Sequence, residues 1–275
     1  MSVTLASRPD TLDGLERRCR ERTGWARVNG VRIDSVTPDG FLDTMSTFLS
    51  CGQSHVVHFC AAHPTVEARR DPIYRELLNK GALNVADGMP VAWAARMCGS
   101  STERLAGPDS MGLVAAWGVE RGLRHYLFGG TPATLERLQR RLEERYPGIL
   151  IVGAESPPFR PMSDDEVAEA ARRMQDAGAQ TVWVGLGAPK QDLMAHRLRV
   201  LHAAPVTLCV GAAFDFVAGT LQRAPRWMRR AGLEWVHRFA AEPRRLWRRY
   251  LIGNAEFVAG VARDQLRRTL SSGRS

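Results

Sequence analysis

The chain has 275 residues, of which 44% are hydrophobic and 24% are charged. These values are typical of a globular protein with room for one large domain, and they argue against disorder. A formal net charge of +9 predicts an anionic partner, either nucleic acid, anionic lipid or a phosphorylated substrate. Five scattered cysteines without a CxxC pair indicate a reducing compartment rather than a disulfide framework. The polar N-terminus does not resemble a signal peptide, and no apolar run approaches the ~18 residues of a membrane span.

The positive charge is confined to the end of the chain. Residues 223–275 contain 13 Arg, no Lys and 4 acidic residues, which gives a net charge of +9. This equals the charge of the whole chain, so residues 1–222 are neutral overall. A neutral body therefore precedes a basic C-terminal segment.

In chain order, residues 1–28 are predicted to be a mobile or weakly helical extension. A short strand with a turn follows, and then a helix from about Pro38. Next comes an alternation of buried strands with helices, each strand about five residues long. One helix is predicted from Pro64 or Thr65 to Gly81, and another is predicted to be capped by Asp109. Further on, Thr131 is the expected N-cap of a helix. Ser163 and Glu166 have the spacing of a capping box. The predicted strands cover residues 55–60, 83–86 and 149–154, and three more are expected within RHYLFGG, QTVWVGLG and VTLCVGAAFDF, which begin at residues 124, 180 and 206.

This strand–helix alternation occurs about six times and predicts an α/β fold. The expected architecture is a mainly parallel Rossmann-like sheet with helices on both faces, plus a C-terminal helical basic appendage. The predicted division is an extension over residues 1–28, the α/β domain over residues 29–218 and the appendage over residues 219–275.

Four turns are predicted at the C-terminal ends of strands, where open parallel sheets bind ligands. Their glycines and helix N-termini suit phosphate, although each turn alone equally fits a merely tight connection. No GxGxxG or GxxxxGK[ST] motif occurs, so neither a dinucleotide site nor a P-loop is indicated. The four turns are ADGMP (86–90), FGGTP (128–132), GLGAPKQ (185–191) and GAAFDFVAG (211–219).

Single residues at these turns allow two interpretations each. Asp87 suits a general base for a hydroxyl nucleophile, or a cap for the helix that begins near Pro90. Asp215 is expected to brace the turn into the appendage. Lys190, one of two lysines in the chain, suits phosphate or a solvated helix end. The seven histidines show no HxH or HExxH spacing, so no metal site is predicted.

The appendage interleaves arginines with tryptophans and other apolar residues at spacings of three and four, as in amphipathic helices. Such faces suit a membrane interface, with rings at headgroup depth and guanidinium groups on phosphates. They equally suit a helix pair that packs on the body. The sequence contains no recognisable nucleic-acid reader module.

Several segments together resemble the WecG/TagA/CpsF glycosyltransferases, also called glycosyltransferase family 26. They follow the family's order and cover about residues 56–250. The segments are ADGMPV (86–91), ERLAGPD (103–109), FGGTP (128–132), RYPGILIVG (145–153), VGLGAPKQD (184–192), VGAAFDFVAGTLQRAPRWMR (210–229) and LEWVHRFAAEPRRLWRR (233–249).

The resemblance implies an inverting, metal-independent hexosyltransferase that uses a UDP-sugar. The implied acceptor is a sugar on undecaprenyl diphosphate at the cytoplasmic face of a bacterial membrane, where the protein would be peripheral. Asp87 corresponds to the proposed general base. The implied nucleotide pocket comprises Gly129, Gly130, Gly185, Gly187, Lys190 and Gln191. The implied diphosphate and membrane contacts are Arg238, Arg244, Arg245 and Arg248.

The resemblance further implies an anionic membrane surface as a partner, excludes nucleic acid and allows a homo-oligomer.

Two departures from the family pattern stand out. The usual Thr-x-Asn pattern after the first core strand is replaced by HFCAAHPT, which leaves His58, His63 and Thr65 as candidates for a helper residue. The usual PKQE is PKQD here, with Asp192. The donor sugar, N-acetylmannosamine, glucose or another hexose, stays open. The alternative hypothesis is a non-enzymatic binder of nucleic acid or anionic surfaces through the basic appendage.

Overall fold

The computed structural model of the protein describes residues 24–272. The strands are β1 (Trp25–Val28), β2 (Val31–Asp34), β3 (His55–Cys60), β4 (Leu83–Ala86), β5 (Arg124–Gly129), β6 (Leu150–Glu155), β7 (Thr181–Gly185) and β8 (Val206–Cys209). The helices of the body are α1 (Pro38–Ser50), α2 (Ala62–Arg70), α3 (Pro72–Asn79), α4 (Met89–Met97), α5 (Gly107–Val119), α6 (Pro132–Arg145), α7 (Asp164–Asp176), α8 (Lys190–Val200) and α9 (Ala213–Ala218). The appendage contains α10 (Arg226–Arg230), α11 (Glu234–Ala241), α12 (Pro243–Trp247), a π-helical turn (Arg248–Ile252) and α13 (Gly253–Ser272).

Six strands form one parallel sheet in the order β4-β3-β8-β7-β5-β6, and helices flank it. Every residue of β3, β4 and β8 is buried. Continuous apolar strands are expected where helices cover both faces of a parallel sheet. The predicted α/β fold is therefore confirmed. Because all six strands run in the same direction, their C-terminal ends lie along one edge of the sheet.

The ordered body begins earlier than the sequence predicts. Residues 25–28, expected to belong to the extension, form β1 and pair antiparallel with β2. Residues 1–23 of the predicted extension lie outside the part that the structure describes. The side chain of Asn84 holds this hairpin against β4, because its Nδ2 donates to the Arg32 carbonyl at 2.9 Å. Its backbone N–H donates to Asp34 Oδ2 at 2.8 Å.

The helix signals are partly confirmed. Thr131 caps α6, and Ser163 and Glu166 form the predicted capping box at α7. The predicted single helix up to Gly81 is wrong. Asp71 interrupts it, since its carboxylate accepts from two backbone N–H groups and Pro72 begins a second helix. Asp109 does not cap α5, which already begins at Gly107; its carboxylate turns toward Arg223 instead.

The appendage folds back onto the body rather than projecting from it. Glu256 of α13 pairs with Arg70 of α2 at 2.6 Å. Asp264 accepts from the backbone N–H of Asn29 at 2.8 Å. α13 passes so close to the hairpin turn that a Cβ at Gly260 would overlap the Asn29 side chain. None of the helices between residues 24 and 272 combines the length and hydrophobicity needed to cross a membrane.

Candidate active site

A cavity of about 260 Å³ lies at the C-terminal ends of β3, β4 and β8. The body supplies the floor through the segments that follow these strands, including Ala61, Asp87 and Gly211. The appendage supplies the opposite wall through Trp235 and Tyr250. Three of the predicted ligand turns, those after β4, β7 and β8, therefore meet at one cavity, as the rule for open parallel sheets predicts.

Asp87 follows β4 at the floor of this cavity. The predicted cap of its own helix is not formed, because Gly88 is the N-cap of α4. Asp87 Oδ1 instead accepts from the backbone N–H of Gly107, the first residue of α5, at 2.8 Å. Burial raises the pKa of this carboxyl to about 6, and the Gly107 N–H and the Arg104 charge only partly oppose the shift. A carboxyl with a pKa near neutrality is suited to accept a proton.

An arginine cluster stands beside Asp87. The Nε of Arg104 donates to the Asp87 carbonyl at 3.1 Å, and its guanidinium pairs with Glu234 at 2.8 Å. Arg223 makes a bidentate pair with Asp109, at 2.6 and 2.7 Å. Burial acts to raise the pKa of Asp109, but the Arg223 hydrogen bonds and charge outweigh it and lower that pKa. The cluster thus joins residues of the body to residues of the appendage.

The cavity is electropositive. Its charged lining residues are four arginines, Arg104, Arg223, Arg229 and Arg238, and two carboxylates, Asp87 and Glu234. The formal balance is +2 when both carboxyls are ionised. Burial and the charge of Arg223 lower the pKa of Arg229. The Nε of Arg229 is buried without a hydrogen-bond acceptor among the described residues. Excess positive charge and an unsatisfied donor are what a bound anion would relieve.

The predicted nucleotide pocket is only partly assembled here. Gly187 and Gln191 line the cavity, whereas Gly129, Gly130, Gly185 and Lys190 do not. Gly129 and Gly185 serve close packing, because a Cβ on Gly129 would meet the Gly185 carbonyl at 2.6 Å. A Cβ on Gly185 would meet the Phe214 ring at 2.7 Å. These glycines let adjacent strand ends and α9 approach one another.

Gln191 and Lys190 differ in placement although they are neighbours. The Gln191 side chain accepts from the Gly187 N–H at 3.1 Å and donates to the Cys209 carbonyl at 3.2 Å. It therefore fixes the loop between β7 and α8. Lys190 is exposed, and its ammonium lies 5.4 Å from the centre of the Phe159 ring.

The predicted tail arginines separate into two groups. Arg238 lines the cavity, with its guanidinium 5.4 Å from the centre of the Phe216 ring. These two side chains also line a second, neighbouring cavity of about 280 Å³. Arg244 and Arg248 are exposed outside both cavities, and the Arg248 guanidinium stacks on Trp247 at 5.2 Å. The side chain of Arg245 lies outside the part that the structure describes.

The three candidates for the helper residue, His58, His63 and Thr65, lie in different surroundings. His63 lines the main cavity near the start of α2. Thr65 is buried and donates to the Ala62 carbonyl at 2.8 Å. His58 is buried, and its Nδ1 lies 2.7 Å from Asp192 Oδ1. The placement favours His63 for contact with a substrate, and it brings the His58 and Asp192 departures from the family pattern into direct contact.

One group in the described part of the chain has the composition of a metal site. His58, Asp192 and Cys209 place their ligand atoms within 4.8 Å of one another, and such a set would suit zinc. All three residues are buried, and none lines the cavity.

Sequence reasoning missed Arg104, Asp109, Arg223, Arg229 and Glu234 as site residues. Each lies within a segment that carries the family resemblance, so the signal was present. Their convergence depends on the appendage folding over the sheet edge, which sequence spacing does not reveal.

Comparison with known families agrees with this arrangement. The profile of the glycosyl transferase WecG/TagA/CpsF family matches residues 26–271, nearly the whole chain and both walls of the cavity. The match includes Asp87, the loop at Gly187 and the arginines of the appendage. The chain therefore belongs to the WecG/TagA/CpsF family of glycosyltransferases, which act in the synthesis of cell-surface polysaccharides.

Proposed function

We propose that the protein transfers a hexose from a UDP-sugar to a sugar carried on undecaprenyl diphosphate, with inversion at the anomeric carbon. The hexose is of the N-acetylmannosamine or glucose type. Asp87 acts as the general base, and the arginine cluster binds the diphosphate of UDP. The observation that carries the proposal is a carboxyl of raised pKa beside an electropositive cavity.

The charge of the cavity matches the proposed leaving group. The diphosphate of UDP gains negative charge as the glycosidic bond breaks, and fixed positive groups stabilise that charge in the transition state. Arg229 offers a buried donor that has no acceptor within the described part of the chain, and Arg104 and Arg223 stand beside it. Guanidinium groups bind phosphate oxygens in bidentate geometry, which lysine does not. We propose that these groups suffice without a metal, so that transfer continues in excess EDTA.

The proposed step is a single displacement. The acceptor hydroxyl loses its proton to the Asp87 carboxylate while its oxygen forms a bond to the anomeric carbon. The bond from that carbon to the UDP oxygen breaks, and its electron pair remains on the β-phosphate. Attack from the face opposite UDP inverts the configuration. His63, at the same cavity, is the proposed contact to a hydroxyl of the donor or acceptor sugar.

The acceptor is proposed to approach from the side of the second cavity. Arg238 stands between the two cavities and is suited to the diphosphate of the lipid carrier. Exposed apolar side chains of the appendage suit the cytoplasmic surface of an anionic membrane, from which the lipid need not be extracted. They include Trp227, Leu233, Trp247, Leu251 and Ile252.

The test is a panel of UDP-sugars assayed with a short prenyl-diphosphate-linked sugar, with UDP release as the readout. One hexose donor is expected to give turnover that requires the acceptor and that Asp87→Asn abolishes. Turnover with no UDP-sugar, but with a different nucleotide donor, would overturn the donor assignment. Equal turnover with a soluble sugar would overturn the lipid-linked acceptor.

A further inference from the structure

The first turn of α5 contacts both the candidate base and the arginines of the appendage. Its first residue, Gly107, donates its backbone N–H to Asp87 Oδ1 at 2.8 Å. Two residues later, the Asp109 carboxylate pairs with Arg223 in bidentate geometry, at 2.6 and 2.7 Å. One short segment of the body therefore holds the carboxyl group of the proposed base and a guanidinium group of the appendage at the same time.

This turn is packed tightly against the end of the sheet. A Cβ on Gly107 would lie 3.1 Å from the Val210 carbonyl oxygen and 3.3 Å from the Ala213 side chain. The residues that follow Asp109 in α5, Ser110 and Met111, are buried. Such close packing leaves the turn little room to shift. Asp109 therefore presents its carboxylate to the appendage from a fixed position.

Asp109 contacts the arginines from outside the cavity lining. Arg223 and Arg229 line the cavity, whereas Asp109 does not. The Asp109 carboxylate also lies 3.6 Å from Nη1 of Arg229 and 3.9 Å from Nη1 of Arg104. Three arginines of the cavity thus converge on one carboxylate, and its negative charge offsets their mutual repulsion.

The contact with Asp109 leaves Arg223 able to bind a ligand. Each Nη atom of a guanidinium carries two N–H groups, and the bidentate pair uses one of each, so Arg223 can hold Asp109 and donate to an anion at once. The two parallel hydrogen bonds fix the plane of the guanidinium group. The direction in which Arg223 presents its other donors is therefore set by Asp109.

This ion pair is suited to orient Arg223 more than to stabilise the fold. The Asp109 side chain is 48% exposed, and ion pairs near the surface contribute little to stability because solvent screens them. A variant without the Asp109 carboxylate is therefore expected to stay folded. Its arginines would lose the contact that holds them against α5.

We propose that Asp109 is a positioning residue that holds Arg223 and Arg229 of the appendage at the cavity, at a fixed separation from Asp87, so that they bind a diphosphate. Asp109 does not touch the ligand. The identity of that ligand, a nucleoside diphosphate, rests on the proposed function, whereas the contact between α5 and the appendage does not. The proposal predicts the sign of an effect, because removing a negative charge beside an anion site strengthens binding when the charge has no positioning role.

The first test is calorimetric titration of the full chain with UDP, for the wild type and for Asp109→Asn. The amide keeps the size of the side chain but turns an N–H group toward the guanidinium, so the bidentate pair is lost. Affinity for UDP is expected to fall about ten-fold or more, although the variant carries less negative charge. Unchanged or tighter binding in Asp109→Asn would overturn the proposal.

Asp215→Asn is the matched control for this titration. It removes the same charge at the same edge of the sheet, from an aspartate that accepts from the Thr220 hydroxyl at 3.2 Å. Its affinity for UDP should equal that of the wild type. A loss as large as that in Asp109→Asn would show a general effect of charge, and the positioning role would be wrong.

A double-mutant cycle separates the orientation of Arg223 from any disturbance of α5. Asp109→Asn is combined with Arg223→Gln, which removes the guanidinium that Asp109 holds. In the Arg223→Gln background, loss of the Asp109 carboxylate should weaken UDP binding by less than about two-fold, because mainly its repulsion of the diphosphate is left. A loss as large as that in the wild-type background would show that the substitution acts through the fold of α5, and would overturn the proposal.

Hydrogen exchange of the ligand-free protein tests the contact without any ligand. Peptides that cover residues 223–233 should exchange at least about three-fold faster in Asp109→Asn, because the attachment of this segment to α5 is weakened. Peptides from β3 and β8 should be unaffected. Equal exchange of residues 223–233 in the two proteins would contradict the role of Asp109 in holding the appendage.

Inorganic pyrophosphate, as a second titrant, separates failure of this proposal from failure of the proposed function. If pyrophosphate binds the wild type and UDP does not, the nucleotide donor is wrong, and the effect of Asp109→Asn on pyrophosphate affinity decides the role of Asp109. If UDP binds but no sugar is transferred, the proposed reaction is wrong and the titrations with UDP still decide that role. If neither anion binds, the arginines form no diphosphate site, and the positioning role of Asp109 is overturned as well.

Discussion

At the scale of the single residue, Asp87 combines a structural contact with the environment of a catalytic base. Its Oδ1 accepts the first N–H of α5, and its position at the cavity floor raises its pKa to about 6. In an unfolded chain the same carboxyl has a pKa of about 3.9. The folded state therefore holds the proton more tightly, and the ionised form at neutral pH destabilises the fold.

The first prediction concerns Asp87→Asn. The amide oxygen can still accept from Gly107 while the base is lost. Transfer should fall by about 10²–10⁴-fold, the usual contribution of general base catalysis. UDP affinity should be unchanged. The melting temperature should rise by a few degrees, because the costly buried carboxylate is gone.

Asp215→Asn is the matched control for this prediction. Asp215 lies at the same edge of the sheet, accepts from the Thr220 hydroxyl at 3.2 Å and does not line the cavity. Its substitution should leave kcat near that of the wild type. Undiminished turnover in Asp87→Asn would remove Asp87 from the role of base.

The second prediction is an acid limb in the pH profile. The carboxylate of Asp87 is needed, so kcat/KM should fall tenfold for each pH unit below about 6 and should level off above it. Stability should change in the opposite direction, being lost as pH rises through the same range. Steady-state rates and thermal melting at matched pH values measure the two effects. A limb with its midpoint near pH 4 would show that burial does not tune this carboxyl.

The sequence identified Asp87 but not its surroundings. Position after a strand and before a Gly favoured a helix cap over a general base, and only the family resemblance reversed that preference. Lys190 shows the opposite case, because a lysine at a helix start after a Gly turn looks like a phosphate ligand and yet stacks on Phe159. Its role in the nucleotide pocket stays a prediction that its position does not support.

At the scale of the element, the active cavity is made where α10 and α11 close over the C-terminal ends of the strands. Arg223 and Arg229 come from the appendage, and Asp109 and Arg104 come from the body. The alternation of strands and helices was readable from apolar periodicity because each strand is buried on both faces. The packing of the short arginine-rich helices on the body could not be predicted, because their amphipathic pattern fits a membrane and a protein surface equally well.

The third prediction concerns Arg229→Ala, which removes one of the guanidinium groups that the appendage places at the cavity. Loss of a charged hydrogen-bond donor to the diphosphate should weaken UDP binding by about ten-fold or more. Calorimetric titration with UDP measures the effect directly. Arg230→Ala is the matched control, because it removes the same charge from the same helix at an exposed position outside the cavity. Equal losses in both variants would indicate a general electrostatic effect rather than contact with the ligand.

At the scale of the whole molecule, the basic segment divides between two surfaces. Arg223, Arg229 and Arg238 face the cavity, whereas Arg244 and Arg248 are exposed next to apolar side chains. Deleting residues 223–275 would remove one wall of the cavity together with the proposed membrane surface. Point variants on the exposed face are therefore the sharper test of membrane contact.

The fourth prediction uses Trp247→Ser combined with Leu251→Ser. These side chains are 44% and 54% exposed, so the fold should tolerate both changes. Binding to anionic vesicles in a sedimentation assay should weaken by about ten-fold or more, since each large apolar group contributes on the order of 1.5–3 kcal/mol when buried. UDP affinity should be unchanged. Ile73→Ser is the control, because Ile73 is an exposed apolar residue on α3 of the body. Vesicle binding that survives the double change would place the membrane contact elsewhere.

The packing of α13 against the β1–β2 hairpin turn limits how the cavity can open. The segment between α9 and α13 is attached to the body at both of its ends, through Gly219 after α9 and through the contacts of Asp264 and Glu256. Because both of its ends are attached, this segment can move away from the strands only at its middle. It cannot rotate open about one end. The proposed leaving group, UDP, is therefore expected to leave through the sides of this segment, and covalent stapling of α13 to the hairpin should leave turnover intact.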